Sequence, residues 1–307
     1  QLVSSATMPE TAVRQGGGRG VYEVAVAPGD GRRVYLAMGG RLFRSDDGGL
    51  RFTEPAPGAP FPFAWDSNGP FRFAGPFVAV SPIDADIVYL GTPAEGLWRS
   101  ADAGANWARV GGPSPGKSGG EGPPSGIPVW FDPAQPGRVH AAFPGQGLHV
   151  SDPAGTTISR LDAQGGPKTI WRGAFDRQGG FYAIDREAME LWVLRAGAWE
   201  QLSGQGGLEP ARFAGSAVDP ASERVIVTDA GGQAWCSTDA GVSWTYLAVS
   251  RRPDRREPPW LRFAGGRFFA TGQIQFDPEQ PGRLWVASGV GPFFADLEKG
   301  CAGALAW

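Results

Sequence analysis

Five arginines stand just ahead of short apolar runs: Arg19, Arg72, Arg172, Arg212 and Arg262. Three of them open the same tetrapeptide, Arg-Phe-Ala-Gly, at 72–75, 212–215 and 262–265. A tryptophan lies near three of the five, as Trp65, Trp171 and Trp260. A guanidinium is a planar fork that pairs two-pronged with carboxylate, sulfate or phosphate, and an indole face accepts a flat apolar surface or a cation. Gathered at one mouth, these groups suit a decorated sugar or another anionic small ligand. The carboxylates nearby are Asp66, Glu121, Glu209 and Glu257, with Glu95, Asp185 and Asp229 as a second set. No two of them are spaced as an acid and its partner, so no catalytic residue is assigned. A structural reading stands beside this one: the arginines recur because the segments share ancestry, each tying one segment to the next.

Another set of acids has a different setting. Ser45-x-Asp47-x-Gly49-x-x-Phe52, Ser100-x-Asp102-x-Gly104-x-x-Trp107 and Ser237-x-Asp239-x-Gly241-x-x-Trp244 are one phrase written three times, and Ser151-x-Pro153-x-Gly155-x-x-Ile158 is a decayed fourth copy. The phrase describes a hairpin clasp. Asp accepts backbone N–H groups across the turn, Gly supplies a positive φ, and the aromatic residue buries itself beneath. It resembles the Asp-box, or BNR repeat, of sialidase-like and related β-propellers. That resemblance gives Asp47, Asp102 and Asp239 structural rather than catalytic work, on the rim opposite the arginines.

The chain repeats in register with the phrase. Short apolar strands end in proline at Val24–Pro28, Val78–Pro82, Val129–Pro133 and Ala217–Pro220, and from proline to the Asp position is 19 or 20 residues (28 to 47, 82 to 102, 133 to 153, 220 to 239). Two further units keep the strand signal without the phrase, at Ala174–Arg177 and Ile274–Pro278. Repeats of roughly 43 to 58 residues fit propeller blades of four strands. With 48 Gly and 28 Pro in 307 residues, few windows are left for helices. The expected fold is all-β: a single β-propeller domain over 1–307 with six four-stranded blades, seven if a terminal segment adds a sheet. Segments 1–15 and 298–307 are expected to close the ring, either one supplying the outer strand of the last blade. Gly111–Gly126 and Arg251–Arg256 read as surface loops.

Several phrases are similar to the amino-terminal propeller of glycoside hydrolase family 74, the endo-xyloglucanases. They are Asn68-Gly69-x-x-Arg72-x-x-Gly75, Gly96-Leu-Trp-Arg-Ser100, the Phe-Asp-Pro strands at 131–133 and 276–278, and the Gly289-x-Gly291 turn. The family sets two propellers side by side with a carboxylate from each facing a cleft. Its first-blade Asp, before a Gly-Gly pair, falls here on Met38, ahead of Gly39 and Gly40. Hydrolysis generally needs two carboxylates at a defined separation, so the family mechanism is not expected of this chain. Sialidase chemistry is not expected either: its Phe/Tyr-Arg-Ile-Pro phrase is absent. Tyr22, Tyr35, Tyr89, Tyr182 and Tyr246 all sit in apolar strand contexts that read as core.

Composition bounds the remainder. A net charge of −3 argues against a nucleic-acid partner, and no apolar run reaches the 18 to 20 residues needed to span a membrane. Gln1 opens no signal region, which leaves a removed signal or a cytosolic chain, the extracytoplasmic location being favoured. His140 and His149 stand alone on strand-like runs, so no metal or cofactor is expected. Cys236 and Cys301 are either a disulfide stapling the ring or two buried thiols. Two functions are open: a glycan-recognising or glycan-processing propeller, or a non-enzymatic scaffold that binds a protein partner, like the propeller factors that help assemble larger complexes.

Overall fold

A computed structural model describes residues 8–9, 21–54, 74–115, 126–250, 273–288, 291–297, 300–301 and 304–306. They form strands and turns, with no helix among them. The chain divides into two compact units, Gln1–Leu161 and Asp162–Trp307, and each holds three sheets in which consecutive strands pair antiparallel.

In the first unit, β1 (Val21–Ala27), β2 (Asp30–Met38) and β3 (Arg41–Ser45) form one sheet, extended by a bridge from Arg44 to Thr53. β4 (Val78–Val80), β5 (Val88–Gly91), β6 (Leu97–Ser100) and β7 (Ala108–Arg109) form the second. β8 (Val129–Asp132), β9 (Gln135–Phe143), β10 (Gly147–Ser151) and β11 (Ile158–Arg160) form the third. In the second unit, β12 (Ile170–Phe175), β13 (Phe181–Asp185), β14 (Leu191–Arg195) and β15 (Ala198–Gln201) make the fourth sheet. The fifth is β16 (Phe213–Val218), β17 (Val225–Asp229), β18 (Ala234–Ser237) and β19 (Thr245–Ser250), and the sixth is β20 (Gln273–Phe276), β21 (Arg283–Ser288) and β22 (Gly291–Asp296). These six sheets are the blades of a β-propeller, the expected fold class.

Face-to-face packing of neighbouring sheets explains the composition of the strands. A sheet covered on both faces cannot alternate apolar with polar, and β5 (Val-Tyr-Leu-Gly) is buried along its whole length. Tyr89, Leu97, Val129, Val139 and Phe143 make one shared core between the second and third sheets, and Tyr182, Val193, Phe213, Val227 and Trp235 make another between the fourth and fifth. The approach is so close at Gly91 that a Cβ would fall 1.8 Å from the Ile127 carbonyl oxygen, which only glycine avoids. Tyr35, Tyr89 and Tyr182 are core residues as expected, whereas Tyr246 is not: it is 53% exposed on the outer strand β19, its ring edge-on to Trp235. The reason is pairing: the strand beyond β19 pairs only with Ala248–Ser250, so β19 has no outer neighbour in the sheet at Tyr246. The side chain of Tyr22 lies outside the described residues.

Of the two terminal segments, the carboxyl-terminal one does not supply the outer strand of the last sheet. β23 (Ala304–Ala306) pairs in parallel with β19, matching Ala248, Val249 and Ser250 to Ala304, Leu305 and Ala306, so it is a fifth strand of the fifth sheet rather than the outer strand of the last. Two contacts explain the placement. Cys236 of β18 is joined by a disulfide to Cys301, which decides between the two cysteine readings. Buried Arg224 pairs with buried Asp219 at 2.7 Å and also donates from Nη1 to the Gly300 carbonyl at 3.2 Å. Most of the leading segment 1–15 lies outside the described residues.

The disulfide closes a loop across a sequence separation of 65, so Cys301→Ser should destabilise the fold by about 2–5 kcal/mol. The check is a urea unfolding curve against the parent, with limited proteolysis of the tail. A parent-like midpoint and an uncut tail would show that Arg224 and the β19 pairing suffice alone.

Candidate functional site

The acids of the repeated phrase are consumed by their own turns. Asp102 Oδ1 accepts from the Asn106 amide at 2.7 Å and from the Ser100 hydroxyl at 2.8 Å, and Asp102 Oδ2 from Asn106 Nδ2 at 2.7 Å. Ser100 Oγ in turn accepts the Gly104 amide at 2.8 Å. Asp47 takes the amides of Leu50 and Arg51, both at 2.9 Å, and Asp239 takes that of Ser243 at 2.9 Å together with the Ser243 hydroxyl. The residue before each glycine is also left-handed, at φ 58° for Ala103 and 57° for Ala240. Two successive left-handed residues point several amides inward, and the carboxylate is their acceptor. Those donors hold the acids ionised. The Arg51 amide leads in lowering Asp47, the Asn106 side chain in lowering Asp102, and the Ser243 hydroxyl in taking Asp239 down to about 2. An acid so held is a poor proton donor near neutrality. Phe52 and Trp244 are buried beneath their turns, whereas Trp107 is half-buried, its indole N–H on the Gly104 carbonyl at 3.0 Å.

In the decayed copy the carboxylate has moved by one residue. Asp152, not position 153, takes the amides of Thr156 at 2.8 Å and Thr157 at 3.1 Å, and these lower its pKa. The signal was present in the sequence as Ser151-Asp152, displaced from the phrase.

The opposite edge of the second unit holds the described members of the arginine and tryptophan set. β12 carries a bulge between Ile170 and Arg172, which makes Trp171 the extra residue, and β16 has a matching bulge between Phe213 and Gly215. Bulges re-aim side chains at sheet rims. Backbone bonds then stitch the rim together: the Arg186 amide to the Thr169 carbonyl at 2.8 Å, Phe213 to Met189 at 2.8 Å, and Ala230 to Arg212 at 2.9 Å. Trp171, Arg186, Met189 and Arg212 therefore lie along one connected edge. Phe213 is fully buried, edge-on to Trp235, and Arg212 beside it is exposed with no ion pair among the described residues. Arg172 is half-buried on β12.

Arg186 was not among the arginines expected at this edge. Its guanidinium lies over the Trp171 ring, 5.4 Å from the centroid. The sequence hid it in Asp185-Arg186-Glu187, which reads as a solvated charged turn. Asp185 and Asp229 are the acceptors that shape such turns. Asp185 takes the amides of Glu187 and Ala188, and Asp229 those of Gly231 at 2.9 Å and Gln233 at 2.7 Å. Glu95 and Glu209 are exposed. Arg19, Trp65, Asp66, Arg72, Glu121, Glu257, Trp260 and Arg262 lie outside the described residues, as do most of the two expected surface loops.

Met38 ends β2, half-buried against the cluster of Phe43 and Phe52, and Gly39 and Gly40, both left-handed, carry the two-residue turn to Arg41. No group of three metal-ligating side chains occurs among the described residues, and no described helix is long and apolar enough to cross a membrane. Both histidines are buried, and burial pulls the His140 pKa down from its ordinary 6.5 to about 4.

No family model matches the chain. Among curated proteins it is 38% identical over 102 residues, 30% of this chain, to a xyloglucanase of Acetivibrio thermocellus. It is 25% identical over 292 residues, 88% of this chain, to a xyloglucanase of Hypocrea jecorina, but spans only 30% of that protein. Among solved structures it superposes on a GH74 xyloglucanase of Xanthomonas campestris with a TM-score of 0.76 and 25% identity, over 94% of this chain and 47% of the other. YCF48 of Cyanidioschyzon merolae shares the fold at a TM-score of 0.58 and 15% identity, over 91% of this chain and 82% of that one. The chain is thus similar to xyloglucanases, and it spans less than half the length of those named here.

Two outcomes follow from the turns and the buried imidazole. Asp102→Ala should cost about 1–2 kcal/mol, a figure discounted for the exposure of its hydrogen bonds, and leave any ligand affinity unchanged. Lost binding at an unchanged melting temperature would place these acids in the site instead. His140 is neutral in the fold and gains its proton near pH 6.5 once unfolded. Stability is therefore complete above about 6.5 and declines as pH falls toward 4, by on the order of 3 kcal/mol. Urea midpoints at stepwise lower pH should show the decline, and His140→Gln should flatten it.

Proposed function

We propose that this chain is a glycan-recognising propeller that works outside the cytoplasm and binds its sugar on the arginine and tryptophan edge. Trp171, Arg172 and Arg212 are its described members, and Arg19, Trp65, Asp66, Arg72, Trp260 and Arg262 are further candidates by sequence alone. The Ser-x-Asp-x-Gly turns are the Asp-boxes of the scaffold. The observation that carries the reading is Arg212: it is exposed at the rim, free of any ion pair among the described residues, while its neighbour Phe213 takes the burial. A purely structural arginine would instead be spent in a contact between sheets, as Arg44 and Arg195 are. The likeness to xyloglucanases supports a carbohydrate ligand, and the disulfide supports an oxidising compartment. Because Met38 stands where the resemblance places a carboxylate, the reading is of recognition rather than cleavage by the two-carboxylate route.

A protein partner is the second reading. It is favoured by Val24 and Val26, which are exposed on β1 while Ala25 and Ala27 face the neighbouring core.

Calorimetric titration with a panel of neutral and acidic plant-wall oligosaccharides tests the first reading. At least one should bind, and Arg212→Ala should weaken it by about 1.5–3 kcal/mol with the fold intact. Binding of none, by a folded protein, would hand the lead to the protein-partner reading.

A further inference from the structure

Arg186 and Trp171 form a unit that the arginine set does not include. The bulge on β12 raises Trp171 out of the alternation of the strand. The turn after β13 carries Arg186 back over it, held by the Arg186 amide on the Thr169 carbonyl at 2.8 Å and by the Asp185 carboxylate on the two amides that follow. A guanidinium held over an indole by cation–π attraction loses part of its rotational freedom, while its N–H donors stay available to a ligand. Arg186 makes no side-chain hydrogen bond or ion pair among the described residues. Glu187 and Glu190 sit in the same turn, so the edge carries no large positive surplus to draw anions indiscriminately. Selection there rests on the shape of the fork, which matches the two oxygens of a carboxylate.

We infer that the Trp171–Arg186 pair is an anchoring subsite for a carboxylate-bearing sugar, a uronate residue of an acidic glycan, with Arg186 as the contact and Trp171 as its prop. This rests on the glycan-recognition reading and narrows it to a substrate class. The connected backbone from Thr169 through Met189 to Phe213 sets Arg212 along the same edge, where a neighbouring sugar of the same chain would lie.

The test is a calorimetric titration with trigalacturonate and with its carboxyl-reduced counterpart, which has the same length and linkage but no charge. The parent should bind the acid at least tenfold more tightly. Arg186→Gln should weaken the acid tenfold or more and leave the reduced sugar unchanged. Arg186→Lys, which keeps the charge but loses the fork, should recover only a small part of the loss. Melting temperatures equal to the parent confirm that the turn variants are folded. Equal affinity for the two sugars, or an Arg186→Gln variant that binds the acid like the parent, overturns the subsite while glycan recognition stands. A parent that binds neither sugar, nor any other glycan, overturns both.

Discussion

A backbone carbonyl in a left-handed turn is turned away from its own sheet and needs a donor from elsewhere. The other contacts between sheets are arranged around that need. The Tyr89 hydroxyl donates to the Gly155 carbonyl at 3.0 Å, and the Tyr182 hydroxyl to that of Ala240 at 2.8 Å, joined there by Arg195. Arg44 donates to the Ala103 carbonyl at 2.9 Å. In each case the turn of one sheet is held by the sheet before it in sequence. The hydroxyl is buried, so its pKa rises, to about 12 for Tyr182, and it remains a donor at any ordinary pH. Gly155 shows how tight the grip is, because a Cβ there would lie 2.0 Å from the Tyr89 oxygen. The turn acids serve the same arrangement. They fix the amides of the turn so that its carbonyl faces the neighbouring donor.

Much of this was legible. The spacing of proline and Asp located the sheets, and the Val78–Pro82 run of the second repeat begins where β4 begins, because an apolar run bounded by turn residues has few other ways to fold. The grip itself had an unread signature. Tyr35 lies opposite Arg44 and Tyr89 opposite Arg99, each arginine immediately before a Ser-x-Asp-x-Gly serine. The same register holds His140 opposite Val150 and Ile226 opposite Cys236, and in both cases the following repeat lacks the phrase. Where no turn follows, no donor pair is kept. Less was legible at the edge opposite. Trp171 and Arg186 meet because of a bulge, and a bulge leaves no mark in a pattern of alternating residue types. The place of the tail strand was not legible for a related reason: three residues such as Ala304–Ala306 carry no preference for one sheet edge over another, and the disulfide that fixes them pairs positions 65 apart.

The two edges of a sheet thus have separate duties. On one, the turns between third and fourth strands spend their carboxylates and serines on backbone amides. On the other, the turn acids Asp185 and Asp229 shape loops that leave Arg186 and Arg212 without ion pairs among the described residues. On the glycan-recognition reading proposed above, substitutions on the first edge act through stability and those on the second through affinity.

The parallel strand β23 has a consequence for how the molecule is made. Translation runs from the amino end, and the fifth sheet is otherwise complete by Ser250. Its outer strand β19 must then wait, with its backbone donors and acceptors bare, while the next fifty or so residues leave the ribosome. An uncovered strand edge is a template for any extended chain that passes. Joining the Cys236 and Cys301 thiols as a disulfide, with a two-electron oxidant from outside the protein taking up the electrons, closes that interval, so the nascent protein depends on its surroundings for the step that ends its exposure to mispairing.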